Sequence, residues 1–209
     1  MELENLQTLR HKARVLDELS EKVLDALVGA VDAARDDLHE YRTALPKIVA
    51  QASPRGMANW IHDRVWSHAC RLLDPIEDAV CHEKGSSREI VVRGRYRLRL
   101  KRHRPPAMVA TFPTQGAIDF MEQPDGQRVL EGMEQLRLIF GYVWDQDSDS
   151  MGPAVLSMRH GIKNVLWIHE LPSLRAEASP LPSREGPAPS VVRARLDDML
   201  EEAQRFLRP

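Results

Sequence analysis

The 209-residue chain is 43% hydrophobic and 29% charged, which excludes collagen-like, mucin-like and wholly disordered classes and provides enough apolar material for a folded core. Its 29 basic and 31 acidic side chains leave a formal charge of −2, so the whole chain has no bias toward nucleic acid or an anionic membrane. The distribution is uneven: from Arg88 to Arg104, eight basic side chains stand against one acid, Glu89.

Apolar residues at three- and four-residue steps, including Leu9, Leu16, Val23, Leu27, Ala34, Leu38 and Leu45, predict a helix from about Glu2 to Leu45. A helix that long would outrun a small domain, so residues 1–50 read as an arm that dimerises the chain, or as a hairpin folded at Val28-Gly29-Ala30. Ser53-Pro54 has the form of a cap and first turn for a second helix, ended by Asp74-Pro75.

After a polar loop, 82–87, the period changes to two. Ile90, Val92, Tyr96, Leu98 and Leu100 alternate with Val91, Arg93, Arg95, Arg97, Arg99 and Lys101, as in a half-buried strand, with Gly94 marking a bulge or a hairpin turn. A short strand is expected at 108–112 and small helices at 114–123 and 127–136. Strands follow at 138–144, 154–159 and 164–171. The expected fold is α+β: helical arm or hairpin, an antiparallel sheet of about five strands, and a tethered C-terminal amphipathic helix. Residues 51–172 would be the core, 173–190 a Pro/Ser-rich linker and 191–209 the terminal helix, which needs a partner surface to be stable.

The basic strand carries the functional expectation. Arg93, Arg95, Arg97, Arg99 and Lys101 on one face, which His103 continues, would with Arg102 and Arg104 track the phosphates of RNA or DNA, making the chain a non-enzymatic nucleic-acid-binding or regulatory module. Two alternatives stand beside it. In one, the arginines form salt bridges with the acidic helices and the protein docks a partner. In the other, His103, His160 and His169 serve a metal-independent nuclease or nuclease-type toxin, since a histidine pKa near neutrality suits acid-base work.

The string Gly94-Arg-Tyr-Arg-Leu-Arg99 resembles the strand of small RelE/ParE-type toxins over those six residues, while the preceding helices differ in length and spacing. Asp145-Gln-Asp-Ser-Asp149 opens like a calcium loop, but Ser150 replaces its glycine and Leu156 its closing glutamate, so a solvated hairpin loop is expected. His62-Asp63 matches a metal phosphohydrolase in residue type alone, and the spacing of His62, His68, Cys70, Cys81 and His82 does not suit zinc. No metal or cofactor is expected. Two cysteines, an acidic start and the lack of an apolar run of membrane length suggest a cytoplasmic address away from membranes, and a prokaryotic protein forming a homodimer through the N-terminal helix is expected.

Overall fold

The computed structural model describes residues 11–85, 87–105, 108–112, 114–123 and 135–174. The predicted helix at 127–136 falls largely outside them, as do the linker and the C-terminal helix from residue 175 on.

Among the described residues four helices come first: α1 (Lys12–Leu19), α2 (Glu21–Ala44), α3 (Pro46–Gln51) and α4 (Pro54–Leu73). The break in the long helical pattern falls at Ser20, whose φ of 68° is left-handed, and not at Gly29. Gly29 stays inside α2 because its missing side chain admits Leu72 of α4: a Cβ there would stand 3.2 Å from Leu72 Cδ1. The chain does not fold back at Gly29, and the helix is interrupted at Ser20 and ends at Ala44. The apolar stripe of α2, with Val23, Leu27, Val31 and Leu38, is buried within the chain's own core. The start of α4 is as the sequence implies, Ser53 Oγ accepting the Gly56 N–H at 3.0 Å with Pro54 in the first turn.

Seven strands then form one mixed sheet: β1 (Ala79–Lys84), β2 (Ser87–Val92), β3 (Tyr96–Arg104), β4 (Met108–Val109), β5 (Leu136–Asp145), β6 (Ser150–Arg159) and β7 (Val165–Leu171). Their order is β1-β2-β3-β5-β6-β7, with β4 paired to the distal end of β3. The expectation of an antiparallel sheet of about five strands is corrected twice. His82 to Lys84 belong to β1 rather than to a loop, and β5 lies parallel to β3. The parallel pairing follows from the crossover between them, which includes α5 (Gln115–Met121), capped by Thr114 Oγ1 on the Ala117 N–H.

The register sorts side chains between two faces. Leu98, Leu138 and Met158 align across β3, β5 and β6, as do Leu100, Phe140 and Leu156, and this face meets the helices in the main core. On the other face Phe120 and Met121 of α5 bury Ile139 in a second, smaller cluster. No helix among the described residues is long and apolar enough to cross a membrane.

Candidate functional site

Arg93 and Gly94 have φ of 51° and 65°, the two left-handed central residues of a hairpin turn joining β2 to β3. The seven expected phosphate contacts therefore do not share a face. Arg93 and Arg95 lie in the turn; Arg97, Arg99 and Lys101 point to the α5 side of β3, whereas Arg102 and Arg104 share the parity of Leu98 and Leu100.

The comb is already engaged by carboxylates of its own fold. Arg93 Nε donates to Asp78 at 3.0 Å, and Arg95 reaches Glu18 at 3.0 Å, where the Tyr96 hydroxyl also donates at 2.6 Å. Arg97 and Arg99 each fork onto Glu89, with Nε donating to one of its oxygens at 2.8 Å in both cases. Glu89 is only 5% exposed. Burial would raise its pKa, but the hydrogen bonds from Arg99 and Arg97 outweigh it and hold the carboxyl below its ordinary value. Arg99 also lies 4.0 Å over the Phe120 ring, and Arg137 donates to the backbone carbonyl of Glu122 at 2.9 Å beside them. The Lys101 ammonium has its pKa lowered by burial and then by the Arg99 charge.

Arg102 and Arg104 differ. Two cations here occupy the core-facing parity of β3 and line a cavity of about 290 Å³. Arg42 from α2, Pro54 and Met57 from α4, Val49 and Trp144 complete much of its lining. The Arg102 guanidinium lies 5.6 Å from the centre of the Trp144 ring. Among the described residues no carboxylate pairs with Arg102 or Arg104, and the buried Nε of each has no hydrogen-bond partner. Arg42 is held by Asp149, donating to its carboxylate at 2.7 Å and its carbonyl at 2.8 Å. Sequence reasoning missed Arg42, Met57 and Trp144, which come from three distant elements. The signal for Arg102 and Arg104 was present: continuing the alternation past Leu100 puts them on the apolar side.

The three histidines are not brought together. His103 is 2% exposed and its Nε2 shares a 2.9 Å hydrogen bond with Ser157 Oγ, while its Nδ1 has no partner. His169 pairs in register with Leu156, on the opposite face of the sheet, and His160 follows β6 and accepts from the Gln123 N–H at 3.4 Å. His68 is the better-connected histidine. Arg71 can only donate, so Nδ1 accepts its hydrogen bond at 2.7 Å and the Nε2 proton faces Asp37 at 2.6 Å. Both ring nitrogens are thus occupied structurally. In the 145–149 turn, Asp145 accepts from the Asp147 N–H at 2.9 Å and the Ser148 hydroxyl at 2.6 Å, closing the loop on itself.

His103 makes the fold acid-sensitive. Burial, then the Arg159 charge, push its pKa from 6.5 down to about 4. The unfolded chain binds this proton below pH 6.5 and the folded chain does not until about pH 4, so stability is lost as pH falls through that window. Between pH 7 and pH 5 the loss is about 2 kcal/mol at 1.36 kcal/mol per unit. Urea unfolding of the wild type and of His103→Gln at both pH values measures it: the variant is expected to lose most of the difference, and an unchanged difference would refute the assignment.

Compared with protein-family models, with curated proteins and with solved structures, the chain matches none.

Proposed function

We propose that the chain is a non-enzymatic nucleic-acid-binding module that contacts phosphate through Arg102 and Arg104, supported by Arg42, and not through the whole comb. The observation that carries this is the division of the basic strand. Arg93, Arg95, Arg97 and Arg99 spend their charge on Asp78, Glu18 and Glu89, while Arg102 and Arg104 border an open cavity with no carboxylate of their own. Guanidinium groups left in that state are available to an external anion, and Arg holds phosphate oxygens in a bidentate fork.

Filter retention of short single-stranded RNA and DNA at low salt tests it. The double variant Arg102→Gln, Arg104→Gln should lose at least tenfold in affinity with no fall in melting temperature, because neither side chain closes an ion pair. Arg93→Gln, which removes only an exposed turn pairing, should bind as the wild type does. Full retention by the double variant, or none by the wild type, would overturn the proposal.

The pairing of four arginines with internal acids favours a second reading, a protein-interaction module whose basic strand is structural. A partner recovered after nuclease treatment, and lost on deleting residues 190–209, would support it over the first.

A further inference from the structure

Resting on the nucleic-acid reading, we propose that the Arg42, Arg102 and Arg104 cavity takes a terminal phosphomonoester of a strand in preference to internal phosphodiesters.

The first ground is that the surplus charge is local. A surface that follows a strand needs a cation for each of several successive phosphates; the arginines that would extend this one along β3 are consumed, and Lys101 has the parity of the opposite face. Arg97 and Arg99 are locked onto Glu89 on the other face of the sheet, and Arg95 sits at the far end of the strand on Glu18. What remains is a single cluster.

The second ground is charge matching. Three guanidinium groups and one carboxylate, Asp149, line the cavity, a net charge of +2. A phosphodiester carries one negative charge, whereas a phosphomonoester, with a second pKa near 6, carries nearly two at neutral pH. The cluster is therefore balanced by a monoester and left positive by a diester.

The third ground is shape. At about 290 Å³ the cavity lies at the lower edge of small-ligand sites, enough for a phosphate and part of the group attached to it. Val49, Pro54 and Met57 add an apolar part to its lining, which suits the sugar or base of one terminal nucleotide. Asp149 is the opposing element. Its carboxylate, largely exposed and bonded to Arg42, repels an incoming anion and limits the affinity.

The buried Nε atoms of Arg102 and Arg104 add a separate indication. A buried donor without an acceptor destabilises a fold, and at this strand end the Nε of Arg102 and of Arg104 are both in that state, the first offset only in part by the Trp144 ring. Arginines kept in that condition are better accounted for by binding than by stability.

Fluorescence anisotropy on the full chain, with 3′-labelled 12-nucleotide single strands carrying a 5′-phosphate or a 5′-hydroxyl, tests the proposal; 5′-labelled strands do the same for the 3′ end. Nucleoside 5′-monophosphate and inorganic phosphate serve as competitors. At least tenfold tighter binding of one phosphorylated end is expected. Arg104→Gln should abolish the preference, and Asp149→Asn should strengthen binding of the phosphorylated strand several-fold without involving the β3 arginines. Equal affinity for phosphorylated and hydroxyl ends at both termini overturns the inference and leaves the nucleic-acid reading standing. Binding of the mononucleotide with no strand retained supports the monoester pocket and overturns the nucleic-acid reading. Failure of every phosphorylated probe overturns both.

Discussion

Replacing Glu89 with glutamine is expected to lower the unfolding free energy by about 3 kcal/mol, although the change keeps side-chain size and can keep a hydrogen bond. The carboxylate is buried and accepts from two guanidinium groups, and Arg137 stands beside them, its own pKa lowered by burial and then by the charges of Arg97 and Arg99. Removing the one negative charge at their centre leaves three cations facing each other. Breaking a buried pair from one side costs about 3–5 kcal/mol. The lower end applies because the Arg97 side chain is 38% exposed and can recover hydration. Chemical denaturation measures the loss. The double variant Glu89→Gln, Arg99→Gln should regain at least a third of it by relieving the repulsion, and strict additivity would show that the three side chains are not coupled.

Gly141→Ala is expected to cost more than about 3 kcal/mol, or to prevent folding, for a different physical reason. Gly141 pairs with Lys101 in the parallel register of β3 and β5, and a Cβ at this position would lie 1.8 Å from the Lys101 carbonyl oxygen. That atom is backbone and cannot swing aside, so the two central strands must separate. Overpacking of an interior ordinarily costs about 1–3 kcal/mol when side chains can adjust, and here they cannot. Thermal unfolding of the variant beside Gly116→Ala, where a Cβ meets nothing within 4 Å, isolates the steric cause. Equal melting temperatures for the two would refute it.

Local chemistry made much of the fold legible. Ser53-Pro54 announced α4, Asp74-Pro75 ended it, the period of two found β3, and apolar runs between polar connections marked β5, β6 and β7. The errors came where the deciding interaction is distant. Gly29 has the intrinsic character of a breaker, yet Leu72, forty-three positions on, packs against its bare backbone, and the helix continues. Ser20 gave no comparable signal, being an ordinary residue in a left-handed conformation. The β1 sequence, Ala-Val-Cys-His-Glu-Lys, is polar at its end because it is an edge strand, and reads as a loop without its partner β2.

The site was legible in the same uneven way. The density of arginine between Arg88 and Arg104 was visible, and so was the abundance of acids in residues 1–45, but which arginine meets which acid depends on the sheet's faces. Glu89 lies within the basic run itself, and only the β2–β3 hairpin turns it to meet Arg97 and Arg99 from the neighbouring strand. Arg42 and Trp144 join Arg102 through tertiary packing alone, with no spacing rule to connect them. His103 shows the reverse: it shares the parity of Arg97, Arg99 and Lys101, as a surface histidine would, yet it is buried and bonded to Ser157.

The salt dependence of single-stranded oligonucleotide binding most directly tests whether the comb is engaged internally. If Arg42, Arg102 and Arg104 together neutralise one or two phosphates, the slope of log affinity on log salt is about −0.7 to −1.4 by counterion release. Five free comb residues would give about −3.5. A slope in the shallow range, nearly flat in the Arg102→Gln, Arg104→Gln variant, is the expected result; a slope of about −3.5 or steeper that survives in that variant would show that the paired arginines release their carboxylates and bind the strand after all.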